Sequence, residues 1–170
     1  MNISHLGALH PNSRIPDWLV SEPVSVPYFD GQQLTFTLDG ITEADTEDVQ
    51  SAVDAFLALG SDARLATSPF VFRNYRRVAD AVGEGDMDFQ VAIPEDIWAH
   101  VHPSEIFISR RHSRDSLIYI QIAAECDWEC EHGLQVVYRR GNELSRVSSQ
   151  DGHLTHTDAY DIPEDQDRID

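Results

Sequence analysis

Leu117-Ile118-Tyr119-Ile120-Gln121-Ile122-Ala123-Ala124 is the stretch that decides the fold class. It is almost continuously apolar and rich in β-branched residues. Such a run fits a central strand covered on both faces, whereas a half-buried strand would alternate. Working outward, Glu105 to Arg110 precedes it, and Leu134 to Arg139 and Glu143 to Val147 follow it, all with strand character. Arg140-Gly141-Asn142 makes a tight turn between the last two. The C-terminal half therefore reads as a β-meander. Upstream, Val24 to Phe29 and Gln33 to Leu38 read as a hairpin around Asp30-Gly31, a two-residue turn signal. Leu34, Phe36 and Leu38 there alternate with Thr35 and Thr37, placing the two sets on opposite faces.

Two helices lie between hairpin and meander. The first opens at Thr42, with Asp45 three residues on as in a capping box. Glu43, Asp45, Glu47 and Asp48 crowd its first turns, where the helix dipole favours negative charge. Val49, Val53, Phe56, Leu57 and Leu59 form its apolar stripe, and Gly60 is its expected C-cap. The second helix is expected to start after Ser68, with Pro69 at the first helical position. Phe70, Val71, Tyr75, Val78, Ala79 and Val82 keep helical spacing up to Gly83. Pro94 to Val101 reads as a short helix or turn. This order predicts an α+β fold: an antiparallel sheet, made of the N-terminal hairpin and the C-terminal meander, with two main helices packed on one face. Residues 1–22 are expected to be an irregular arm broken by Pro11 and Pro16 and docked through Trp18-Leu19-Val20. Residues 23–157 form the single domain. Residues 158–170 are acidic, poor in apolar side chains and expected to be flexible.

Composition sets the electrostatics. The 170 residues carry 30 Asp and Glu against 12 basic residues, all arginine, for a net charge of −18. That field repels phosphate backbones and anionic membranes and attracts basic proteins. A basic protein partner is expected, and neither nucleic acid nor membrane is. Hydrophobic residues make up 41%, enough for a core without disulfides or metal. Cys126 and Cys130, the two cysteines, are too few for a disulfide framework. Met1-Asn2-Ile3-Ser4-His5-Leu6 lacks the features of a signal peptide, so a cytoplasmic location is expected.

The densest polar segment is Glu125-Cys126-Asp127-Trp128-Glu129-Cys130-Glu131-His132-Gly133-Leu134, joining two strands. Three readings fit it. Cys126, Cys130 and His132, completed by His153 or His156, have the ligand types zinc prefers, which makes zinc the one candidate cofactor. Acid–base catalysis is a second reading, with His132 oriented by Glu129 or Glu131 and Cys130 as nucleophile. The third is structural: Trp128 as an anchor, Gly133 supplying a backbone angle other residues resist, and a buried pair of Glu131 and His132 fixing the corner.

Trp128-Glu129-Cys130-Glu131-His132-Gly133-Leu134, together with Asp151-Gly152-His153, resembles a group of uncharacterised bacterial domains in which a W-x-x-E-H-G-L segment joins two strands. Cys130 departs from the usual residue at its position. Some members of that group look like genome neighbours of polymorphic toxins, so the resemblance implies immunity proteins and no catalytic residue. The expected function is a non-enzymatic, acidic binding protein. Glu43, Asp45, Glu47, Asp48 and Asp54 on the first helix are the first-choice contact surface. The corner of Asp127, Trp128, Glu129, Glu131, His132 and Gly133 is the second. A metal-binding domain or metal-dependent hydrolase on the same corner is the alternative.

Overall fold

In the computed structural model, which describes residues 1–83, 87–112 and 114–169, the Ile-rich run lies in strand β7 (Ile118–Cys126), the inner strand of the meander. It pairs antiparallel with β6 (Val101–Arg110) on one side and β8 (Leu134–Arg139) on the other, and β9 (Glu143–Ser148) follows. The sheet is completed by three short strands, β1 (Leu9–Pro11), β2 (Leu19–Ser21) and β5 (Phe36–Asp39), in the order β1-β2-β5-β6-β7-β8-β9. A separate pair joins β3 (Val24–Val26) to β4 (Gln32–Leu34). The fold is α+β.

The differences from the sequence reading have physical causes. The expected hairpin is split. Val24–Val26 does pair with Gln32–Leu34 across a 3₁₀ turn, Pro27–Phe29, with Asp30 in the left-handed region. The chain then leaves its partner at Thr35, whose carbonyl accepts from the Ile106 N–H at 3.0 Å. β5 runs parallel to β6, in register from Phe36 opposite Ile106. The sheet is thus mixed, and the two helices form the crossover that a parallel pair requires. The arm, in turn, contributes β1 and β2 to the sheet edge, where Pro11 is tolerated because an edge strand need not donate outward.

Thr42 and Asp45 do form a capping box, but it opens a 3₁₀ turn, Glu43–Asp45, and α1 (Thr46–Leu57) follows. Gly60 is the N-cap of α2 (Ser61–Val82), not the terminator of α1. Pro69 therefore lies inside α2 rather than at its start. An interior proline removes one helix hydrogen bond and costs up to about 3 kcal/mol. Tertiary contacts outweigh it: Val71, Tyr75 and Ala79 are buried on one side of α2. Buried hydroxyls add to this, with Thr67 Oγ1 2.8 Å from the Tyr138 hydroxyl, which donates to Tyr28 at 3.1 Å. Val49, Val53 and Phe56 of α1 belong to the same core as Phe36, Ile106, Ile120 and Val136 of the sheet. Gly141 (φ 85°) lets the β8–β9 turn pass beneath α1, because a Cβ there would sit 2.0 Å from the Ala52 carbonyl oxygen. Among the described residues no helix is long and apolar enough to cross a membrane.

Candidate functional site

The acidic face of α1 keeps its charge but is not bare. Glu43 meets the N-terminal amine, and Asp54 lies 3.6 Å from His5, as the arm packs Ile3 and Leu6 into the core beside this helix. Arg110, at the end of β6, donates to Asp45 and to Asp48, each at 2.7 Å. The Asp45 carboxyl lies below its ordinary value, chiefly through the Thr42 N–H, with Arg110 adding to it against burial. Glu43 and Asp48 remain largely exposed, and Glu47 is exposed.

The corner after β7 is held from within by an aromatic anchor. Trp128 is 5% exposed and donates its indole N–H to Asn74 Oδ1 of α2 at 2.9 Å. Glu129 closes the turn: its Oε1 accepts from the Glu131 N–H at 3.0 Å and the His132 N–H at 3.3 Å. Gly133 (φ 64°) is required, since a Cβ there would stand 2.6 Å from the Ala124 carbonyl oxygen. The expected buried pair of Glu131 and His132 does not form. Both side chains are exposed, because Glu129 satisfies the turn in their place. Asp127 has partners the sequence did not suggest. His100 Nδ1 and His102 Nε2 lie 2.9 and 2.8 Å from its two oxygens, and Phe89 stacks on His100 with centroids 3.9 Å apart. The His100 hydrogen bond, then that of His102, holds the Asp127 carboxyl below its usual value.

The candidate zinc ligands sit in different surroundings. Cys126 is buried, its Sγ donating to the Glu129 carbonyl at 3.7 Å, and burial pushes its thiol up to about 12. Cys130, His132 and His153 are exposed, and among the described residues no group of three or more His, Cys, Asp or Glu side chains is placed to hold a metal ion. His156 is buried in α3 (His156–Tyr160).

At the opposite end of β7, the tail docks. Arg111, its side chain 2% exposed, donates to both oxygens of Asp158, to both oxygens of Glu164, and to Asp115, Thr155 and Thr157. Burial opposes its charge, but these partners outweigh burial and raise its pKa. Arg114 reaches Glu164, and Arg139 reaches Asp167. The segment from Asp158, expected to be loose for want of apolar residues, has polar anchors instead; Asp170 lies outside the described residues.

A family model described as a domain of unknown function (DUF6985) matches residues 5–154. The chain belongs to that family. No curated protein and no solved structure matches it. The DUF6985 match takes in the sheet, both long helices and the Trp128 corner, while the carboxylates that hold Arg111 from the tail lie beyond it. Within the DUF6985 part, the side of the sheet carrying Phe107 and Gln121 bears a groove of about 460 Å³ between the arm and the loop after β9. Trp18 reads from the sequence as an anchor, and Asp39 and Gln121 belong to no motif. The alternation of Thr37 and Asp39 against Phe36 and Leu38 was the signal for that second face.

Proposed function

We propose that this DUF6985 chain is a non-enzymatic, cytoplasmic binding module for a basic protein, with a toxin-neutralising immunity protein as its concrete form. One observation supports the reading: five of the twelve arginines are turned inward onto the chain's own carboxylates. Arg64, Arg110, Arg111, Arg139 and Arg146 all have half-buried or buried side chains paired to Asp or Glu. With these five cations so engaged, the surplus of 30 acidic over 12 basic residues is carried by exposed side chains such as Glu47, Glu95, Asp96, Glu125 and Glu131. A surface of one sign accelerates encounter with a partner of the other, and that acceleration is removed by salt.

The test is the association rate of the chain with the protein encoded beside its gene, measured by surface plasmon resonance at rising ionic strength. The Debye length falls from about 30 Å at 0.01 M to about 8 Å at 0.15 M. The rate is expected to fall steeply across that range, and Glu47→Arg combined with Glu131→Arg is expected to slow it at low salt. A rate indifferent to salt would remove the charge-based reading.

A further inference from the structure

We propose that the groove between Trp18 and Gln150 is a pocket for a guanidinium or ammonium side chain, and that an arginine of the basic partner fills it. The inference rests on the basic-partner reading above and names the site where that partner is gripped.

Trp18 and Phe107 form an aromatic corner, with ring centroids 6.1 Å apart and planes at 76°. Two ring faces at a steep angle suit a flat or compact cation, which is drawn to the electron-rich face of each. Asp39, half-buried at the end of β5, supplies a carboxylate that makes no ion pair among the described residues.

The amides are oriented by their neighbours. Gln135 must turn its nitrogen towards Ser148, Asp151 and the His153 carbonyl, at 3.1, 3.1 and 2.9 Å. Its oxygen therefore accepts from Gln121 Nε2 at 3.0 Å, which leaves Gln121 Oε1 as an acceptor for the groove. Gln150 likewise donates to the Ala124 carbonyl at 3.0 Å and keeps its oxygen. The groove thus offers a carboxylate, two amide oxygens and two aromatic rings, against the Ser109 hydroxyl, the Trp18 N–H and the remaining N–H of the Gln121 and Gln150 amides as donors.

Anions find no free cation there. Arg110 lines the groove, but its nitrogens are bound to Asp45, Asp48 and the Ser116 carbonyl. An acceptor-rich, aromatic pocket in a chain of net charge −18 matches a side chain that is all donors and positive. Arginine fits best, since its planar fork stacks on aromatic rings and spans separated acceptors.

The experiment uses the full chain and two small probes, N-acetyl-arginine amide and its neutral analogue N-acetyl-citrulline amide, titrated at millimolar concentration and followed by the indole N–H resonance of Trp18. The other tryptophans, Trp98 and Trp128, have their N–H groups bonded to Ser68 and Asn74, so Trp18 is the reporter. The arginine probe is expected to shift that resonance and the citrulline probe to leave it unmoved. Asp39→Asn is expected to weaken the arginine probe by about tenfold or more. Because Asp39 is half-buried, the fold of that variant is checked by urea midpoint, and Leu substituted for Phe107 provides a second variant that removes one aromatic face. No shift with either probe, or equal shifts with both, overturns the proposal. With the partner in hand, the two readings separate. Salt-sensitive association unchanged by Asp39→Asn discards the groove and keeps the basic partner. Salt-insensitive association discards the basic partner, while the probe titration still judges the groove.

Discussion

At one end of β7 the turn after Arg110 holds its buried arginine against carboxylates of the chain, while at the other end the corner after Cys126 turns Glu131 and His132 to solvent. In the sequence the two segments look alike. Arg110, Arg111, Arg114 and Asp115 are no denser in charge than Asp127, Glu129, Glu131 and His132. What separates them is whether the chain returns. Thr155, Asp158 and Glu164 come back over Arg111 from 44 to 53 residues downstream. Nothing among the described residues comes back over Glu131 and His132, and the corner is held from beneath by Trp128. A charged turn becomes structural when distant carboxylates reach it, and stays a surface when an aromatic anchor suffices.

The largest effect that would break this comparison is Arg111→Ala. Removing one partner of a buried ion cluster leaves the others uncompensated and costs about 3–5 kcal/mol. The urea midpoint should fall accordingly, and amide protection over His156–Tyr160 should be lost in hydrogen exchange. A change below about 1 kcal/mol would mean that the tail is not held through Arg111, and the contrast between the two turns would collapse.

The next effect tests the other end. Trp128→Ala removes a buried indole and leaves Asn74 Oδ1 without its donor, an expected loss of about 3 kcal/mol or more. His132→Ala in the same corner should stay within about 0.5 kcal/mol, because its side chain is exposed. Equal losses by denaturation would show that His132 helps hold the corner, against the geometry.

How much of this was legible beforehand depends on sequence range. β8 was expected from Leu134 to Arg139 and spans Leu134–Arg139; the capping box at Thr42 and Asp45 is likewise present. Both are short-range patterns of alternation and capping, and the expectation of an uncharacterised family accords with membership of a domain of unknown function. The failures are long-range. Phe36–Asp39 looked like the second arm of a hairpin, because its pairing with Ile106–Ser109 leaves no local trace. Pro69 looked like a helix start, because only the packing of Val71, Tyr75 and Ala79 overrides its local preference. The clamp of His100 and His102 on Asp127 joins residues 25 and 27 apart, and no spacing rule reaches across a strand pair. The groove on the second face required the arm, the β5 crossover and the loop after β9 to be placed together.

That histidine clamp gives the smallest effect and the finest test of the exposed corner. Asp127 is 42% exposed, so its hydrogen bonds to His100 and His102 belong with surface interactions, worth within about 1 kcal/mol. Its carboxyl lies below the usual value because the protonated form would lose the His100 and His102 contacts. A depressed folded pKa means that the stabilisation is complete above the ordinary value, about 3.9, and is lost as pH falls through the lower folded value. The stability difference between the native chain and Asp127→Asn should therefore shrink towards zero as pH falls below about 4. In Arg111→Ala, by contrast, the acid dependence contributed by Asp158 and Glu164 should itself be diminished, because Arg111 is what holds Glu164 low and overcomes the effect of burial on Asp158. Urea midpoints of the three proteins across the acid range would separate a carboxylate held by surface histidines from carboxylates held by a buried arginine. A difference for Asp127→Asn that grows on acidification would reverse the sign derived for the clamp and move the corner towards the buried, charge-locked end of the comparison.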